Sequence, residues 1–217
     1  MYSFGIFSLS SLLVANAYLF LAIFIIFKDP KNTVNRFFAL LNLSMCIWAF
    51  GEGMERASIM YDTAYFWATV VVGIGSSLEP VLFLHFWLIF SKQADKFKKI
   101  MPIFVIYIPG IIFLVLRIFF PRLLVSGLTL EYWGYATEGT KLFMADILYV
   151  VIYTFICLLL ILKIINSSLG KFKKQAQYIG WGISLPLLVA MITQATRPLF
   201  HFPIPELTIT SSVFLLF

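Results

Sequence analysis

The sequence predicts an all-α fold, an integral membrane bundle of seven transmembrane helices. Three observations carry that prediction. Of the 217 residues, 61% are hydrophobic and 12% charged, with a mean hydropathy of +0.96, and a water-soluble domain needs more polar surface than this. Apolar runs of about 20 residues, the length that crosses a bilayer, recur along the whole chain. Lys and Arg gather in alternate loops, which sets an orientation.

The first run, Phe4 to Phe27, has a signal peptide as its alternative reading, because Ala15-Asn16-Ala17 resembles a cleavage site. No basic residue precedes the run and apolar sequence continues past the alanines, so a retained span is expected. DPKNTVN (Asp29 to Asn35) turns the chain, with Asn32 or Thr33 as the cap of a second span, Arg36 to about Glu55. The third run, about Tyr61 to Ser91, is long enough to be tilted or kinked. Further runs cover Ile100 to Phe120, Leu142 to Ile165 and Ala176 to Leu199. A seventh, from about Leu207 to Phe217, holds 11 residues, about half a crossing. The expectation is a single membrane domain over 1–217, cut from a longer protein within its last helix.

With the N-terminus outside, 11 of the 16 basic residues fall on the inner side. The outer side then holds Arg56, Arg117, Arg122, Lys141 and Arg197. The net charge of +6 is therefore read as topology plus attraction to anionic lipid, not as a nucleic-acid surface. The paired KFKK strings at Lys96 and Lys171 have the same meaning. Cys46 and Cys157 lie in different apolar runs and do not mark a redox compartment. The longest loop, Pro121 to Lys141, is placed outside. Alternating apolar residues flank Ser126-Gly127, which predicts a short hairpin turning there. Tyr132, Trp133 and Tyr135 belong either to the headgroup belt or to a lid over the helices.

Ionisable residues inside spans are costly and are functional candidates by default. Glu52 stands four residues before Arg56, so it is either half of an intrahelical pair or a deeper group facing another helix. Glu79 lies about midway along the third run, with Gly75 and Ser76 on its face. Small residues there admit a neighbouring helix or a ligand. A carboxylate at that depth is either paired with a cation or neutral. Arg197, with Gln194 beside it near the end of the sixth run, is the expected cationic partner, and Asp146 is a further carboxylate at the outer end. Trp48 and Trp67 are the expected aromatic walls. Pro80 has no N–H for the Ser76 carbonyl, which predicts a flexible point.

His85 is six residues beyond Glu79, about 240° around an ideal helix, so the two do not share a face. A packed or interhelically bonded histidine is expected, and no metal site or cofactor. HExxH, GxSxG, CxxC and a phosphate-binding glycine loop are all missing from the chain, so an enzyme is not expected within it.

Four strings resemble a known family. NRFFALLNLSMCIWAFGEGME (Asn35 to Glu55) and FWATVVVGIGSSLEPVLFLHFWLIF (Phe66 to Phe90) are similar to the second and third helices of the N-terminal seven-helix sensor region of prokaryotic histidine kinases. IYIPG (Ile106 to Gly110) and KKQAQYIGWGI (Lys173 to Ile183) resemble its fourth-helix element and the start of its sixth helix. The resemblance implies an input module in the cytoplasmic membrane of a prokaryotic cell, leading through its last helix to an output domain such as a kinase core, and a homodimer formed through that missing cytoplasmic part. His85 lies in the bilayer, out of reach of ATP, and is no phosphoacceptor. The resulting expectation is a sensor of a small or amphiphilic signal, or of the bilayer itself, with Glu79, Glu52, Arg197, Asp146, Trp48, Trp67 and Gln194 around the ligand. The alternative is a small transporter with Glu79 as a proton- or cation-coupling group.

Overall fold

A computed structural model describes residues 2–92 and 102–200, with the side chains of residues 183, 185–187 and 190–200 left out of the description. The expected seventh helix, Lys96, Lys98 and Lys99, and the side chains of Gln194 and Arg197 lie outside the described set.

Helices dominate the chain. α1 (Ile6–Lys28) is apolar on all sides and closes at Asp29-Pro30, where the proline disfavours helical geometry at the residue before it. α2 (Thr33–Ala57) starts at Asn32, whose side chain accepts a hydrogen bond from the Val34 N–H at 2.9 Å, settling which residue caps it. α3 (Tyr61–Phe90) runs past Pro80. α4 (Ile103–Phe119) opens with a tight 3-10 turn, and Pro109 falls in the first turn of its α-helical part, where a missing N–H costs little. α5 (Lys141–Ser167) is capped by Thr140, which accepts from the N–H groups of Leu142 and Phe143. α6 (Gly170–Phe200) follows after a short connection whose last residue, Gly170, has φ +62°.

α3 is the central helix, touching α2, α4 and α5, while α1 packs along α2 and α6 along α5. In its most apolar stretch 61% of α3 is buried, against 22% for α1 and 28% for α5. Apolar helices left this open need a hydrocarbon surround, and α1, α2, α3 and α5 are each long and apolar enough to cross a membrane. α4 is apolar but shorter. The described chain is thus a helical membrane bundle, and its core is aromatic: Phe83, Phe86 and Trp87 are almost wholly buried.

The irregularity in α3 is not where Pro80 alone would put it. Residues Trp67–Val71 form a wide π turn, in which Val72 N–H bonds to the Trp67 carbonyl. Gly51 of α2 lies against this turn; a Cβ there would stand 2.8 Å from the Val72 nitrogen.

Between α4 and α5 one helical turn (Pro121–Leu124) leads into an antiparallel hairpin, β1 (Val125–Glu131) and β2 (Gly134–Gly139). The hairpin is as expected, but its turn is not at Ser126-Gly127. Those residues belong to β1, beside an irregularity in register, and the chain reverses at Tyr132-Trp133, between paired Glu131 and Gly134. The reason is the glycine after the turn. Gly134 has φ +119° and lies on the Arg56 backbone, with an added Cβ only 2.7 Å from Arg56 Cα and O.

Candidate functional site

Two polar systems occupy the bundle. The first is a rim at the hairpin end, the predicted outer end. There Arg56 Nη2 is 3.5 Å from Glu52 Oε2 and Arg56 Nη1 donates to Ser11 Oγ on α1 at 3.0 Å. Both readings of Glu52 therefore hold together: it pairs within its own helix, and at 2% exposure it is also deep in the packing. Thr137 of β2 donates to Glu55 Oε1 at 3.4 Å. Tyr65 donates to the Val125 carbonyl at 3.1 Å, Leu128 N–H donates to the Tyr61 hydroxyl at 3.3 Å, and Tyr135 donates to the Ile59 carbonyl at 3.3 Å. The hairpin is thereby strapped across the ends of α2 and α3. Trp133 is buried beneath it, whereas Tyr132 is 75% exposed.

Arg117 completes this rim. Its Nε donates to Asp146 Oδ2 at 3.2 Å, its Nη2 reaches the same oxygen, and the guanidinium lies over the Phe143 ring, 5.6 Å from the centroid. Gly73 of α3 makes room for the arginine stem, since a Cβ there would stand 2.5 Å from Arg117 Cδ. Asp146 was expected beside a ligand; it is already held by Arg117. Sequence reasoning had counted Arg117 only as an outer loop charge. Its place in the apolar string FLVLRIFF was the signal, by the same cost argument that singled out Glu79.

The second system lies deeper, around Glu79. This residue is fully buried, and neither carboxylate oxygen has a hydrogen-bond partner among the described residues. The same is true of the Ser76, Ser77, Thr154 and Ser184 hydroxyls and the Trp48 and Trp87 indole nitrogens. Gly75 admits α2 as its size predicts: an added Cβ would stand 2.5 Å from Trp48 N and 2.7 Å from Trp48 Cβ. Trp48 therefore lies one turn from Glu79. Trp67 does not join it; its Nε1 donates to Tyr2 at 3.2 Å and its ring packs on Phe50 and Phe66 near the rim.

Tyr149 ties α5 to the turn of α3 that holds Pro80. Its hydroxyl donates to the Ser77 carbonyl at 2.9 Å. Gly110 permits it, because a Cβ there would fall 2.8 Å from Ser77 O and 2.9 Å from Tyr149 Oη. Neither role could be read from sequence, since a lone tyrosine in an apolar run carries no label of its partner. His85 is the interhelical histidine expected, with Nδ1 2.6 Å from the Tyr107 hydroxyl and its ring 4.1 Å from that of Phe37.

Depth can be counted for Arg197. Gly180 of α6 faces Ile161 of α5, an added Cβ lying 2.7 Å from Ile161 Cγ2. Along antiparallel helices Ser184 then stands level with Cys157, and Arg197, about 17 residues on from Gly180, level with Met144 near Asp146. Glu79 lies within electrostatic reach of Tyr149 and Cys157. The pairing expected between Arg197 and Glu79 falls on a side chain outside the described residues.

No curated protein matches the chain. A family model described as the N-terminal 7TM region of histidine kinase matches residues 10–217. With nearly its whole length covered, the chain belongs to the N-terminal seven-transmembrane region family of histidine kinases.

Proposed function

We propose that the chain is the signal-input region of a sensor histidine kinase: seven spans in the cytoplasmic membrane of a prokaryotic cell, N-terminus outside, dimeric through a cytoplasmic part. A small or amphiphilic signal, or a change in the bilayer, favours one of two helix packings, and α6 with the seventh helix carries the difference to the output domain. Phosphoryl transfer belongs to that domain. The region itself only shifts an equilibrium, which requires that the signal interact better with one packing than the other. The observation that carries the reading is the family match over residues 10–217 combined with an interior acid that lacks a partner among the described residues.

The path runs along α3. Its rim end is tied to the hairpin through Tyr61 and Tyr65, its π turn rests on Gly51, and its middle carries Glu79 and Pro80. The test is autophosphorylation of the full-length protein in lipid nanodiscs. Glu79→Gln is expected to change the kinase rate or its signal dependence; an unchanged rate under all signals argues against the reading. An acid without a partner among the described residues also suits a transporter coupled to protons or cations, and substrate flux in vesicles that Glu79→Gln abolishes, with no effect on phosphorylation, would favour that instead.

A further inference from the structure

The groups around Glu79 narrow the chemistry of what binds there, an inference that rests on the sensor reading. The turn is rich in acceptors. Two carboxylate oxygens have no donor among the described residues. Pro80 denies the Ser76 carbonyl, one turn back, its usual ladder donor. The Ser77 carbonyl is already taken by Tyr149. Three buried hydroxyls also lack a partner among the described residues: Ser76 on the same helix, Thr154 on the buried face of α5, and Ser184 on α6 level with Cys157. All three are at least nine-tenths buried.

Aromatic surfaces complete the site. Trp48 lies against Gly75, one turn toward the rim, and Tyr149 stacks on Phe113 with ring centroids 5.4 Å apart. Beyond Glu79, toward the other end, Phe83 and Trp87 are fully buried. A divalent metal is a poor match, since it demands about six oxygen ligands and several carboxylates, and no group of three His, Cys, Asp or Glu is found among the described residues. Carboxyl and carbonyl acceptors, hydroxyls and π faces match a cation that itself donates hydrogen bonds and holds the carboxyl ionised.

We propose that Glu79, the Ser76 carbonyl and the Thr154 and Ser184 hydroxyls bind a primary ammonium group on a small hydrocarbon body, between α3, α5 and α6. The ammonium supplies three donors to the acceptor-rich turn, and the hydrocarbon lies along Phe83 and Trp87. Binding there separates or draws together three helices at the depth of the proline.

Octylammonium is the probe, with octanol and octanoate as neutral and anionic counterparts, titrated against the protein in phosphatidylcholine nanodiscs and read by tryptophan fluorescence and melting temperature. The expected result is a saturable octylammonium response that octanol and octanoate do not match. Glu79→Gln weakens it by about tenfold or more, and Thr154→Val by about threefold. Arg197→Gln leaves it unchanged. The site is overturned if Glu79→Gln binds octylammonium as the wild type does, if octanol binds equally, if sodium chloride alone gives the same saturable response, or if Arg197→Gln markedly tightens binding, which would mean the arginine holds the carboxylate. Should Glu79→Gln not fold, Thr154→Val and Ser184→Ala make the same comparison. Loss of the ammonium site with kinase output still set by Glu79 leaves the sensor reading standing. Octylammonium binding without any effect on phosphorylation does the reverse.

Discussion

The rim and the interior of this bundle treat buried charge in opposite ways. At the rim, Arg117 holds Asp146, Arg56 holds Glu52, and Thr137 reaches Glu55. In the interior, roughly 9 Å along α3 from Gly73, Glu79 has no partner among the described residues. Paired charges under a strapped hairpin make a rigid frame, whereas a buried acid without a partner among the described residues costs stability without a structural return. Under the proposed function, the difference separates a structural frame from a signalling element.

The comparison can be broken at the rim first. Arg117→Ala leaves Asp146 buried without its cation and should cost about 3–5 kcal/mol, read as a large fall in melting temperature in nanodiscs. The double variant Arg117→Met with Asp146→Leu should recover most of that loss, since a well-packed apolar pair avoids the desolvation. If Arg117→Ala melts like the wild type, the pair is not part of the frame. Next in size is Gly110→Ala, whose added methyl meets the Ser77 carbonyl and the Tyr149 hydroxyl and should cost about 1–3 kcal/mol. Tyr149→Phe removes the hydroxyl that donates to the Ser77 carbonyl and should cost about 1 kcal/mol. Its specific signature is faster hydrogen exchange at Val81, and unchanged exchange there would mean that this bond does not hold the turn. Smallest is Thr137→Val, a 3.4 Å bond at the hairpin, which should cost about 0.5 kcal/mol.

Much of the fold was legible because lipid imposes simple rules. Length and hydropathy placed the described helices, the cap of α2 was narrowed to Asn32 or Thr33, and the hairpin showed in its alternation. Glu79 and Gly75 were legible because burial is costly for one and close approach easy for the other. Pairings were not. Asp146 meets Arg117 from another helix, Trp67 turns to Tyr2 and not to Trp48, and the hairpin turn is set by where Gly134 meets Arg56. Such choices depend on which faces of separate helices meet, and no local pattern encodes that. The π turn was hidden for the same reason, since Trp67–Val71 reads as ordinary apolar helix until Gly51 is brought beside it.

The central claim is that Glu79 serves signalling and the rim serves stability. The most direct test measures melting temperature and autophosphorylation together, for Glu79→Gln and for the Arg117→Met, Asp146→Leu pair, in the full-length protein in nanodiscs. The account predicts that Glu79→Gln melts as high as the wild type or higher, yet alters kinase output, while the rim pair leaves signal dependence intact. A Glu79→Gln protein that melts much lower, with output per folded molecule unchanged, would contradict it.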